Sequence, residues 1–130
     1  MMTDIDIVRH FIDRLAAHDA EGAGRLMADD VFVHNMPIDP TRSKAAWIEQ
    51  MLAFGGAGEL QIELLQIVGD GKGVVLTERM DSFLRAGHRI DLPVMGAFTL
   101  QDGKIVSWRE YFDMGTYQRA LEAAAAAPSA

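Results

Sequence analysis

In the stretch Val75-Leu76-Thr77-Glu78-Arg79-Met80-Asp81-Ser82-Phe83, alternate residues share a face if the chain is extended. That face carries Val75, Thr77, Arg79, Asp81 and Phe83, so an arginine and a carboxyl sit among apolar side chains. Further along, Trp108, Glu110 and Phe112 share a face in the same way, which puts a second carboxyl between two aromatics. Upstream, Val33 and Asn35 share a face of a short extended run. Two carboxyls and a guanidinium inside an apolar cavity can do acid/base chemistry. Desolvation raises a carboxyl pKa and a nearby arginine lowers it, so the two acids can take different roles. The same residues could equally form a buried ion network that only fixes the sheet, because structural networks also perturb pKa values. On spacing alone the two readings stand level.

Other chemistries find little support. His10, His18, His34 and His88 lack the spacing of a metal site, so no metal is expected. Gly69 to Gly73 is rich in glycine but lacks the Gly-Lys-Ser/Thr ending of a phosphate loop, and reads as a hairpin turn. No serine stands in a nucleophile elbow. The chain has no cysteine, which rules out disulfides, thiolate chemistry and iron–sulfur ligation. A formal net charge of −7 repels phosphate backbones and anionic lipid, so neither nucleic acid nor membrane is an expected partner. The start, MMTDIDIVRH, has no basic leader followed by an apolar stretch, and no apolar run is long enough to span a bilayer. A soluble cytoplasmic protein is the expectation. Eight Met and six Phe read mainly as core filler, with some available to line an adaptable pocket.

The elements that would position these residues follow from periodicity. Thr3 opens a capping-box pattern with Asp6, followed by Ile5, Val8, Phe11, Ile12 and Leu15 at helical spacing. A short second helix after Asp19 is expected to carry Ala23, Leu26 and Met27, and Val31 to Asn35 reads as a strand stopped by Pro37. Ser43 caps a third helix with Trp47, Ile48, Met51 and Leu52 on one face, ended by Gly55-Gly56. Trp47, Met51 and Phe54 read as core residues that can reach the pocket. Leu60, Ile62 and Leu64 then alternate with polar residues, the signal of a half-buried strand. Strands are predicted over 74–84, 89–100 and 104–113, joined by turns at Ala86-Gly87-His88 and Asp102-Gly103. A last helix carries Tyr117 and Leu121, and its alanine tract frays before Pro128. Helices first, then long strands, then a closing helix make an α+β fold rather than alternating βαβ units. The 130 residues suit one domain, 1–130, in which a curved antiparallel or mixed sheet packs on the helices around a pocket.

Three stretches carry a resemblance: Thr77-Glu78-Arg79-Met80-Asp81, Leu92 to Phe98, and Asp102-Gly103-Lys104-Ile105-Val106-Ser107-Trp108-Arg109-Glu110-Tyr111-Phe112-Asp113. With Asn35-Met36-Pro37 upstream, they resemble the limonene-1,2-epoxide hydrolase family, within the NTF2-like (SnoaL-like) superfamily of cone-shaped α+β proteins. The resemblance implies direct, cofactor-free hydrolysis of a small lipophilic epoxide, and a homodimer through the outer face of the sheet. It places the bridging arginine at Arg79, the general acid at Asp81 and a water-holding amide at Asn35. Glu110 stands at the base position, where the family has Asp, and Val33 stands where the family has a water-holding Tyr. The substrate pocket is expected to include Val33, Thr77, Phe83, Leu92, Val94, Trp108 and Phe112. The alternatives are a cyclase or isomerase that moves a proton beside a carbonyl, and a non-catalytic binder of a lipophilic ligand.

Overall fold

A computed structural model describes residues 2–36, 38–55, 60–85 and 87–126, with the side chains of residues 54 and 55 left aside. The elements run α1 (Asp4–Ala16), α2 (Ala20–Gly24), β1 (Met27–Met36), α3 (Lys44–Gly55), β2 (Gln61–Gly69), β3 (Val74–Arg85), β4 (His88–Gln101), β5 (Lys104–Tyr111) and α4 (Met114–Ala126). Pro37, Gly56, Ala86 and Pro128, and with them parts of the expected stops and turns, lie outside the described residues, as does the side chain of Phe54.

Helix α1 starts where its capping box dictates. The Thr3 hydroxyl accepts from the Asp6 amide at 3.1 Å, and the Asp6 carboxylate accepts from the Thr3 amide at 3.0 Å. Its apolar stripe, Ile7, Val8, Phe11, Ile12 and Leu15, is buried. Helix α2 is shorter than expected. It ends at Gly24, and Met27 belongs to β1, where it pairs with Ile105. The Ile105 amide donates to the Leu26 carbonyl at 2.8 Å, so a ladder to a distant strand overrides the local helical spacing. Leu26 and Met27 are apolar in either arrangement, which is why periodicity misplaced them. On α3, capped by Ser43, Trp47 is buried but Leu52 is 61% exposed and leaves the expected face. Strand β5 stops at Tyr111 rather than Asp113, because Asp113 caps α4 by accepting from the Thr116 amide at 3.0 Å.

The five strands lie in the order β1-β5-β4-β3-β2. From β2 to β5 they form an antiparallel meander, and β1 joins β5 in parallel, so the sheet is mixed. The crossover through α3 carries the chain from one edge to the other, and the meander returns it to β1. At the β4–β5 turn, Asp102 and Gly103 both take positive φ (51° and 76°), the paired left-handed geometry that an Asp-Gly turn tolerates. The main core lies between the sheet and α1 to α3, built on Phe11, Trp47, Phe98 and Trp108. The Trp108 ring stacks on Phe98 at 5.6 Å and meets Phe11 edge-on at 5.0 Å. A second cluster, Phe83, Ile90, Leu92, Val94 and Ala124, forms where α4 covers β3 and β4.

Candidate active site

One row of residues crosses the sheet from β1 to β3. Asn35 is the register partner of Glu110, Glu110 of Gly96, and Gly96 of Thr77. Alternation along β3 then puts Arg79 and Asp81 on the same face as Thr77. The guanidinium of Arg79 forks in both directions. Its Nη1 and Nη2 donate to the two Glu110 oxygens at 3.0 and 2.5 Å, and its Nε and Nη2 donate to the two Asp81 oxygens at 3.2 and 3.0 Å. Only a planar, five-donor head can bridge two carboxyls in this way. The Arg79 and Glu110 side chains are 3% and 5% exposed, against 18% for Asp81, so Asp81 stands nearer the opening.

Burial separates the groups further. It pushes Glu110 up from 4.5 to about 7, against the pull of Arg79, with Asp81 adding to the rise. The Trp108 indole N–H adds a smaller pull toward the ionised form, although no hydrogen bond closes between the two in this geometry. For Arg79, burial works to lower the pKa, but Glu110 and Asp81 outweigh it and hold the guanidinium charged.

These groups form one wall of a cavity of about 370 Å³. Asn35, Arg79, Asp81, Phe83, Leu92, Trp108 and Glu110 all line it. Four other residues expected in the pocket do not. Val33 is 3% exposed and locked to Thr41 by two backbone hydrogen bonds of 2.8 Å, which packs it into the main core. Thr77 lies at 1% exposure, deeper along β3 than Arg79. Val94 is covered in the α4 cluster. Phe112 falls beyond the end of β5 and packs on Tyr117, with ring centroids 6.5 Å apart.

The remaining walls come from the helices and the far edge of the sheet. Leu15 of α1, Trp47, Gln50 and Met51 of α3, and Ile38, Leu60 and Ile62 complete the lining. The helical face of Trp47 and Met51 and the alternation at Ile62 were signals for this. Gln50 and Ile38 carried none.

Gly96 is a position beside the ion pair that patterning missed, although a lone glycine inside a strand does signal a close approach. A Cβ there would lie 2.6 Å from Thr77 Oγ1 and 2.9 Å from both Arg79 Nη1 and Glu110 Oε2. The bare backbone therefore leaves the trough through which Arg79 reaches Glu110. Gly96→Ala should displace the ion pair and lower kcat by on the order of a hundredfold, as misplacements near 1 Å do. Overpacking should add a loss of about 1–3 kcal/mol in stability. Steady-state kinetics beside a thermal melt reads both effects, and unchanged kcat would mean that the pair tolerates the shift.

The comparisons with known proteins point the same way. The family model of the limonene-1,2-epoxide hydrolase catalytic domain matches residues 2–122. Epoxide hydrolase EphG of Mycobacterium tuberculosis is 28% identical over 107 residues, covering 82% of this chain and 71% of that protein. The structure of an M. tuberculosis LEH-like epoxide hydrolase matches with a TM-score of 0.84 at 26% identity, covering 94% of this chain and 91% of that one. An NTF2-like protein of unknown function from Burkholderia pseudomallei K96243 matches with a TM-score of 0.84 over 93% of this chain and 98% of its own. At 14% identity, that last likeness shows the fold alone. A mixed sheet packed on helices around an acid-lined cavity thus matches the family in fold as well as in sequence, and the chain belongs to the limonene-1,2-epoxide hydrolase family.

Proposed function

We propose that this protein adds water across a small lipophilic epoxide, with Glu110 as general base, Asp81 as general acid, Arg79 as the bridge and Asn35 as an anchor for the water. The observation that carries this reading is the double fork of Arg79, which holds two carboxyls side by side at the wall of a mostly apolar cavity. Both Glu110 oxygens accept from Arg79, and each keeps a second lone pair for a water beside Asn35. Glu110 takes a proton from that water as its oxygen bonds to one epoxide carbon. The carbon–oxygen bond of the ring breaks, and Asp81 protonates the released oxygen to complete a diol. The cycle closes when one proton passes from Glu110 back to Asp81. Val33 supplies no hydroxyl here, so the water is held by Glu110 and Asn35 alone, and the longer Glu reaches further into the pocket than the family's Asp.

Diol formation from limonene oxide and cyclohexene oxide tests the reaction, and its pH dependence tests the roles. A base must be ionised to act, so the acid limb of kcat/KM should rise with pH through about 7. A profile with no rising limb through about 7 would remove Glu110 from the role of base. A carboxyl poised near 7 would also suit proton abstraction beside a carbonyl, which keeps the cyclase or isomerase as the second reading. Turnover of enolisable ketones with no diol from any epoxide would favour it.

For assembly we propose a homodimer through the outer face of the sheet, where Leu76, Met95 and Tyr111 are 42%, 49% and 45% exposed.

A further inference from the structure

Seven of the cavity's lining residues lie away from the acid wall, on α1, α3, the β1–α3 connection and the β2 side, and among them Gln50 alone is polar. Its place is not accidental to the fold. The Thr41 hydroxyl donates to Gln50 Oε1 at 3.0 Å, and Thr41 is itself fixed by its paired backbone hydrogen bonds to Val33 of β1. With its carbonyl held by Thr41, the Gln50 carboxamide has two N–H donors left for water or a ligand at this exposed part of the lining. Asn35, the other carboxamide of the lining, is the register partner of Glu110 and so belongs to the acid wall. Gln50 belongs to the helical side.

We propose that Gln50, held by Thr41, is a substrate-binding residue that takes a hydrogen-bond acceptor on the substrate. The preferred substrates would then be epoxides that also carry a hydroxyl or carbonyl oxygen, rather than pure hydrocarbon epoxides. This inference rests on the epoxide hydrolase reading and names its substrate class. Gln50 is exposed in the free protein, so its donors are hydrated until a ligand covers them. A hydrocarbon that covers them strips that water and gives nothing back, whereas an oxygenated ligand replaces the lost bonds. Because Gln50 is exposed, the discrimination is a modest preference for the compound that carries the acceptor.

The test uses a matched pair, cyclohexene oxide bearing at C4 either a methyl or a hydroxymethyl group, together with their diols. The chain's two tryptophans, Trp47 and Trp108, both line the cavity, so their fluorescence reports diol binding without turnover. Gln50→Met keeps length and removes the donors. It should lower the preference for the hydroxymethyl compound by about 3–10-fold, in the ratio of KM values and in the ratio of diol affinities, as loss of one net hydrogen bond implies. Thr41→Val should shift both ratios in the same direction by less, since it frees the amide without deleting it. Ratios in Gln50→Met that stay within about twofold of wild type would overturn the proposal even if both epoxides are hydrolysed. A shift in the diol ratio with no hydrolysis of either epoxide would support the binding role and sink the hydrolase reading instead.

Discussion

Glu110→Gln is expected to lower turnover on the order of 10²–10⁴-fold, the usual range for loss of a general base, while ligand binding persists. The amide keeps the shape of the acid and can still accept one hydrogen bond from Arg79, but it cannot take a proton from water. Near-wild-type diol formation in this variant would remove Glu110 from the mechanism. The same substitution should change how stability depends on pH. Glu110 has a folded pKa raised from 4.5 to about 7, so its contribution is complete below about 4.5 and is lost as pH rises through about 7. The melting temperature of the wild type should therefore fall between pH 5 and 8, and that of Glu110→Gln should fall less. Asp6, Asp19, Asp70, Asp91 and Asp113 are held below the usual carboxylate value by hydrogen bonds, so their contributions are lost only at more acidic pH. Equal slopes in the two proteins would show that Glu110 is not buried at such cost.

Arg79→Met should be the most destabilising single change in the site, at about 3–5 kcal/mol, the cost of leaving a buried charge without its partner. Against a total of about 5–15 kcal/mol for an ordinary domain, this removes a large share of the fold's margin. The effect comes from what remains: Glu110 keeps its burial and loses both hydrogen bonds from the guanidinium, and Asp81 loses its ion pair with Arg79. Arg79→Lys should fall between the two, because an ammonium on a flexible stem satisfies one carboxyl but cannot fork to both. Urea denaturation of the three proteins orders them. A loss below about 1 kcal/mol in Arg79→Met would mean that the carboxyls find other partners.

Much of this arrangement was legible before any coordinates. The inward face of β3 followed from alternation alone, and Arg79, Asp81 and Phe83 share the cavity wall with Trp108 and Glu110 as that alternation implied. Where the reading failed, long-range pairing was the cause. Met27 is strand rather than helix because of Ile105, and Phe112 leaves the pocket because Asp113 serves α4. Thr77 and Val94 point inward as expected, but α4 and the depth of the sheet cover them, which no period along one strand can report. Gln50 and Ile38 enter the cavity through the packing of α3 and the preceding connection, again a matter of layers rather than of pattern.

The parallel pairing of β1 with β5 also bears on when the site comes into being. Asn35 and Glu110 are register partners separated by 75 positions (110 − 35), whereas the hairpins β2–β3, β3–β4 and β4–β5 close over short turns. Closing the long loop costs more chain entropy than any hairpin, and topologies rich in such distant contacts fold slowly. The meander already brings Arg79, Asp81 and Glu110 onto one sheet, but Asn35 meets them only when the first strand docks on the last. A chain that lacks β5 therefore has Arg79 and Asp81 but neither Glu110 nor a strand for β1 to pair with. The register that sets Asn35 beside Glu110 thus depends on the longest closure in the sheet.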